Sequence, residues 1–100
     1  MIKHIVIWKL KDHAEGADKA TNIKKMVSLL NGCANLVPGM LKLEVGTAAP
    51  PLETTSDVVL YTEFTDAAAL QAYQIHPDHE AIKPFIGAVR LERHCMDYEV

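Results

Sequence analysis

The sequence predicts an α+β fold in which helices cover one face of a four-stranded sheet. Segments 2–10 and 57–64 carry apolar side chains on both faces of a strand, and an amphipathic helical segment follows each of them. Two further strand segments are apolar on one face only. At 49%, the hydrophobic fraction is also high for a domain of 100 residues. We therefore expect apolar surface beyond one small core, covered by a partner, a ligand or both.

The four predicted strands divide into central and edge strands. Segments 2–10 and 57–64 are apolar on both faces, as the central strands of a covered sheet are. Segments 40–47 and 89–99 place charged side chains among the apolar ones, which is typical of edge strands. The first and third strands are therefore predicted at the centre of the sheet. The buried face of the second strand is expected to carry Leu41, Leu43 and Val45.

The helical segments complete the order of elements. Apolar residues recur every three or four positions from Ala20 to Leu30, which predicts a helix of about four turns with Ile23 and Val27 on the same face. A second helix is predicted over 66–73 with Asp66 as its N-cap. Pro77 is expected to start a further helix that runs to Ile86.

This order, with the first and third strands central, predicts a ferredoxin-like βαββαβ sandwich formed by a single domain over residues 1–100. Its helices cover only one face of the sheet. The other face carries Ile5, Ile7, Val59 and Tyr61 without cover from the chain itself. A second copy packed sheet to sheet would cover these side chains, so we predict a homodimer.

Charge and composition exclude several kinds of partner. Ten Lys and Arg against thirteen Asp and Glu leave a net charge of −3, without a basic patch for nucleic acid or for an anionic membrane. Lys3 and Lys9 interrupt the first apolar segment, which is therefore too short and too charged for a signal peptide or a spanning helix. Cys33 and Cys95 form no CxxC pair, so a soluble, cytoplasmic protein is expected. Neither GxGxxG nor a P-loop occurs, and no cofactor is predicted.

Several segments together resemble the stress-responsive A/B barrel (Dabb) domain. They are HIVIWKL at 4–10, VPGM at 37–40, Gly46, DVVLYTEF at 57–64 and YQIHPDH at 73–79. The similarity in their order and spacing extends over essentially the whole chain. It implies a dimeric α+β barrel, in which the sheets of two subunits close against each other, and this agrees with the predicted homodimer.

Within the family, the olivetolic acid cyclase branch folds linear polyketides by intramolecular aldol condensation. Matched by motif, Tyr73, His79 and His4 correspond to the tyrosine and histidines of that branch. A further histidine of the branch falls at Val58 here, and its bulky aromatic residues on the first helix fall within 26–30. The resemblance therefore implies related catalytic groups in a pocket of different shape.

The chemistry of these side chains permits two functions. His79 could take a proton from an acidic methylene, and the Tyr73 hydroxyl could donate to the developing enolate, with His4 nearby. This describes a cofactor-free cyclase or isomerase acting on a small hydrophobic molecule. In the alternative, a non-catalytic stress-associated dimer, the same groups only hold the helix break. The resemblance to dimeric α+β barrels adds a third hypothesis, a cofactor-independent monooxygenase. The residues expected to line the ligand cavity are Trp8, Val27, Leu30, Leu60 and Ile82.

A metal site at the HPDH segment is not predicted. His76 and His79 are spaced for a shared metal on a helix, with Asp78 and Glu80 beside them. However, Pro77 is expected to leave His76 outside the helix, and no HExxH motif occurs.

Overall fold

Strand pairing places the two doubly apolar strands at the centre of the sheet, as predicted. The computed structural model describes residues 1–100. Its elements are β1 (Ile2–Leu10), β2 (His13–Ala14), β3 (Ala17–Asp18), α1 (Lys19–Asn31), β4 (Met40–Thr47), β5 (Val58–Phe64), α2 (Ala67–Ile75), α3 (Pro77–Glu80), α4 (Lys83–Val89) and β6 (Arg90–Glu99). The antiparallel sheet has the order β4-β5-β1-β6, and β2 and β3 form a separate short hairpin. The ferredoxin-like α+β fold is confirmed.

The strand register decides which side chains reach the core. Val6 lies opposite Leu60 and Trp8 lies opposite Val58, so both central strands send alternate residues to the same face. The helices cover that face and bury it. The buried apolar side chains are Val6, Trp8, Leu10, Met26, Leu30, Cys33, Val58, Leu60, Phe64, Ala69, Leu70, Tyr73, Ile82, Ile86 and Val89.

Side-chain caps define the starts of the first two main helices. The Asp66 carboxylate accepts a hydrogen bond from the Ala69 amide at 2.9 Å, which confirms the predicted N-cap of α2. Asp18 caps α1 in the same way, through the Thr21 amide at 2.8 Å. None of the helices combines the length and apolar character needed to cross a lipid bilayer.

The segment after Pro77 forms two short helices instead of the single helix predicted to Ile86. The helix α3 ends at Glu80, and α4 begins at Lys83 and runs to Val89. Pro84 explains the break, because it has no N–H to donate to the Glu80 carbonyl and its ring would clash with that carbonyl in a continuous helix. The sequence therefore contained the signal for the interruption.

A bulge in β4 corrects the predicted face of that strand. Met40 pairs with Phe64 and Lys42 pairs with Glu63, so Leu41 is an extra residue without an opposite partner. Leu41 is 55% exposed, whereas Met40 packs against the core. The expected alternation with Leu41 on the buried side is therefore wrong at this position.

The face of the sheet away from the helices has no cover within the chain. Ile5, Ile7, Val59 and Tyr61 lie on it and are partly exposed, as predicted from their positions. Met96 lies opposite Ile5 and is 65% exposed on the same face. An apolar strip therefore crosses the central strands into β6.

We predict that Gly39→Ala destabilises the fold by about 2 kcal/mol. Gly39 has a φ of +88°, and an added Cβ would lie 2.6 Å from the Thr65 hydroxyl oxygen and 3.0 Å from the Ala69 Cβ. Urea unfolding at one fixed protein concentration measures the change. The control Gly87→Ala meets nothing within 4 Å and should stabilise α4 by about 0.5–1 kcal/mol. Equal stability of Gly39→Ala and wild type would contradict the prediction.

Candidate functional site

A cavity of about 480 Å³ lies between the sheet and the helices. Its floor comes from β1, β5 and the start of β6, and its walls come from α1, the end of α2, and α3 and α4. The volume is in the range of small-molecule sites. Six of the residues predicted for the site line this cavity, namely His4, Trp8, Leu30, Leu60, His79 and Ile82.

The break between α2 and α3 positions His79 at the cavity. The His76 side chain caps α3 by accepting from the Asp78 amide at 3.1 Å, and Pro77 starts the helix. His79 Nδ1 then lies 3.1 Å from the Gln74 carbonyl oxygen. Because a carbonyl oxygen can only accept, Nδ1 carries the proton and Nε2 keeps its lone pair.

The surroundings of His79 keep its imidazole neutral. Burial is the main cause that lowers the pKa of His79 below its ordinary value of 6.5, and the charges of Lys83 and His4 act in the same direction. The bond to Gln74 and the Glu80 carboxylate oppose this shift without reversing it. At neutral pH the side chain is therefore a base whose free nitrogen accepts a proton.

Tyr73 packs directly against His79 but does not line the cavity. Their ring centroids are 4.6 Å apart at an interplanar angle of 50°, and Phe64 packs on Tyr73 at 5.3 Å. The Tyr73 hydroxyl is buried without a hydrogen-bond partner. Burial raises the pKa of Tyr73, so the phenol stays protonated. The structure thus brings the predicted pair together, with Tyr73 one layer behind His79.

His4 is buried in β1 and bonded to a carboxylate that the sequence analysis did not assign to the site. His4 lies opposite Asp97 in the pairing of β1 with β6, and Asp97 Oδ1 accepts from His4 Nδ1. Cys95 Sγ lies 3.9 Å from His4 Nδ1 and 3.7 Å from Asp97 Oδ1. The sequence did not reveal this cluster, because the register of β1 against β6 decides which side chains of the two strands meet.

The donors of His4, Cys95 and Asp97 all lie within 4.8 Å of one another, so these three residues could together hold a metal ion. The pKa of the Cys95 thiol is raised, by burial first and by the Asp97 charge second. The HPDH segment offers less, because the His76 imidazole already caps α3.

Val27 does not reach the cavity, and this corrects its predicted place. The helix α1 buries Asn22, Met26 and Leu30, whereas Val27 is partly exposed and lines a separate depression. The Asn22 amide donates to the Ala14 carbonyl at 3.0 Å in the short hairpin, which turns this polar residue inward. The buried face of α1 is therefore rotated from the predicted apolar stripe.

Other lining residues supply polar groups that the sequence analysis did not assign to the site. The indole Nε1 of Trp8 is buried and has no hydrogen-bond partner, so its N–H is a donor not used by the protein. Arg90 and Arg93 also line the cavity, together with Lys83 and Glu80. The site therefore combines apolar walls, a neutral imidazole and several hydrogen-bond donors.

The four-stranded antiparallel sheet, with a cavity beneath the helices that cover it, defines a ferredoxin-like α+β protein. The family model described as "Stress responsive A/B Barrel Domain" matches residues 2–100. This chain belongs to the stress-responsive A/B barrel (Dabb) family.

Similar proteins agree with this assignment. The stress-response A/B barrel domain-containing protein DABB1 of Arabidopsis thaliana is 31% identical over 98% of this chain. The chain spans 46% of the length of that protein. A dimeric protein of unknown function with a ferredoxin-like fold from Bacteroides fragilis is 29% identical, with a TM-score of 0.82 over 99% of this chain and 95% of that one. A Dabb family protein from Mesorhizobium loti shares the fold at 24% identity, with a TM-score of 0.74 over 99% and 95%.

We predict that Tyr73→Phe stabilises the protein by about 1 kcal/mol, because it removes a buried hydroxyl that has no partner. Thr62→Val is the matched control, since the buried Thr62 hydroxyl donates to the His4 carbonyl at 3.0 Å and its loss should cost about 1 kcal/mol. Urea unfolding measures both changes. Destabilisation of Tyr73→Phe to the extent of the control would show that the phenol is hydrogen-bonded in solution.

Proposed function

We propose that this protein binds a small hydrophobic molecule in the cavity and catalyses a cofactor-free cyclisation or isomerisation with His79 as the general base. The observation that carries the proposal is the state of the His79 imidazole. Its Nδ1–H is held by the Gln74 carbonyl, its Nε2 is free, and burial keeps the ring neutral. A base of this kind suits proton transfer near neutral pH.

The reaction begins with proton transfer from an acidic methylene of the bound ligand to His79 Nε2. The electron pair left on carbon is shared with the neighbouring carbonyl as an enolate. In a cyclisation, the enolate carbon attacks a second carbonyl of the same molecule, and the resulting alkoxide takes the proton back from His79. In an isomerisation, the proton returns to a different atom of the enolate. Neither reaction consumes an oxidant or a reductant.

The side chains around His79 are assigned the other roles in the proposed reaction. Trp8 lines the cavity, and we assign to its buried, unpartnered indole N–H a hydrogen bond to the enolate oxygen. Tyr73 is a positioning residue, because its ring packs on His79 from behind. His4, bonded to Asp97, is a second imidazole at the cavity wall. Hydrogen-bond donation to the enolate was predicted from the sequence for the Tyr73 hydroxyl. We assign it to Trp8 instead, because Tyr73 does not line the cavity.

A non-catalytic binding dimer is the second candidate, and the contacts at the helix break favour it. The bond from His79 to the Gln74 carbonyl joins α3 to α2, and the packing of Tyr73 on His79 strengthens the same junction. The cluster would then stabilise the cavity wall without transferring a proton. Loss of stability without loss of proton transfer in a His79 variant distinguishes this function from catalysis.

We predict that His79→Gln slows hydrogen–deuterium exchange at the methylene of phenylacetone by about 100-fold or more. Proton NMR in D₂O measures the rate above that of buffer alone. His13→Gln, which changes an exposed histidine outside the cavity, should keep the wild-type rate.

The pH dependence gives the same test a second readout. Only the neutral imidazole accepts a proton, and the pKa of His79 is below 6.5, so the wild-type rate should stay at its plateau at pH 7 and fall only below pH 6.5. An unchanged rate in His79→Gln excludes His79 as the base.

We further propose that two copies pack through the open sheet face. The partly exposed side chains of Ile5, Ile7 and Val59 lie together on this face, and the similar protein from Bacteroides fragilis is described as dimeric. Burial of such a strip against its own copy gives a self-complementary interface with twofold symmetry. The cytoplasmic location stays a prediction.

For the dimer, sedimentation equilibrium at micromolar concentration should give about 22 kDa, twice the chain mass of 11.1 kDa. Ile7→Lys should shift the protein to the monomer, because it places a charge in the middle of the apolar strip. Ile75→Lys is the control, since Ile75 is 67% exposed at the end of α2, on the helix side of the sheet. A wild-type monomer would refute the sheet packing.

A further inference from the structure

The charged groups of the cavity are unbalanced in favour of cations. Lys83, Arg90 and Arg93 line it, and Glu80 is the only carboxylate among the lining residues. Lys83 Nζ lies 2.6 Å from Glu80 Oε1, so this pair is neutral as a whole. Neither arginine forms a salt bridge within the chain. The cavity therefore carries two unpaired positive charges in a protein with a net charge of −3.

The arginines are also distributed unevenly along the chain. Arg90 and Arg93 are its only two arginines, and the other eight of its ten cationic residues are lysines. Guanidinium groups bind carboxylates through paired N–H donors in a planar geometry that an ammonium group lacks. Both side chains with this geometry are thus located at one cavity.

A bulge in β6 brings the two arginines to the same face. Residues three apart in a regular strand point to opposite faces. Here Arg93 lies opposite Trp8 and Arg90 lies opposite Leu10, with Leu91 as the extra residue between them. Since Trp8 and Leu10 both face the helices, Arg90 and Arg93 do so too. The bulge at Leu91 therefore places both arginines on the cavity side of the sheet.

The apolar lining residues indicate the chemical character of the rest of the ligand. Apolar side chains from the sheet and helices form the walls, among them Val6, Leu60, Ile82 and Ile86. Asp97, the nearest carboxylate along the same face of β6, is already bonded to His4. The cavity thus offers apolar contact for a body and unpaired cations for one anionic end.

We propose that the ligand is an apolar organic acid whose carboxylate is bound by Arg90 and Arg93. This inference rests on the proposed function, because it concerns the same cavity. Trp8, opposite Arg93, and His4 are four residues apart in β1, so their Cα atoms are separated by about 13 Å. A carboxylate at the arginines therefore directs an elongated apolar body along β1 towards the two histidines.

The test compares 6-phenylhexanoate with its neutral amide, 6-phenylhexanamide, by titration calorimetry. The wild type should bind the acid about tenfold more tightly than the amide, because only the acid forms charge-assisted hydrogen bonds with the guanidinium groups. Arg93→Gln and Arg90→Gln should each weaken binding of the acid and leave that of the amide unchanged. Lys24→Gln removes the same charge from an exposed position outside the cavity and should change neither affinity.

The outcomes separate this inference from the proposed function. Equal affinity of the wild type for acid and amide overturns the carboxylate proposal but leaves an apolar binding cavity intact. A preference for the acid that survives in both arginine variants also overturns it, since another group then binds the carboxylate. Failure of both compounds to bind at millimolar concentration counts against the proposed function itself, and the carboxylate proposal fails with it.

Discussion

The central position of β1 is the constraint on which most of the structure depends. Because β1 pairs on one side with β5 and on the other with β6, it lies inside the sheet and has no free edge. Its side chains then alternate between two environments. His4, Val6 and Trp8 face the helices and form the floor of the cavity, whereas Ile5 and Ile7 face away. One strand therefore contributes to the core, the candidate site and the proposed dimer interface.

Two prolines shape the wall opposite that strand. Pro77 starts α3 after the extended His76, and Pro84 prevents α3 from continuing into α4. The resulting short helices turn His79, Ile82 and Ile86 towards the sheet. A single straight helix would present a different set of side chains to the cavity. The irregular backbone is thus what forms the site, while the regular sheet holds it in place.

The polar groups of the cavity differ in whether the protein already uses them. His4 is bonded to Asp97, and Lys83 is bonded to Glu80, so these groups are satisfied within the chain. Trp8 Nε1 is buried without a partner, and so is the hydroxyl of Tyr73, which lies behind His79 and outside the cavity lining. Buried donors without partners are costly, and each such group in a native structure calls for an explanation, such as a catalytic role or a bound molecule. Family membership alone does not define a reaction, since one fold supports many chemistries. The proposed function depends instead on the neutral His79 imidazole at the cavity.

Sequence periodicity was sufficient to predict the order of the main elements, the central strands and the uncovered face. These features depend on the alternation of apolar residues, which is local in the chain and independent of neighbouring elements. The bulge at Leu41 and the inward side of α1 were not predictable in the same way, because strand pairing and the contact of Asn22 with the hairpin decide them.

The candidate site, like the fold, could be predicted from the sequence only in part. Histidines at positions 4 and 79 could be proposed from their chemistry and from the family resemblance, and the fold brings both to one cavity. Asp97 and the two arginines could not be assigned to it, because they belong to the last strand and reach the site only through pairing with β1. The amino-acid sequence by itself thus determined which surfaces are apolar and which side chains can transfer protons. The tertiary structure decided which charges meet them, since strand register and bulges are set by contacts between residues some ninety positions apart.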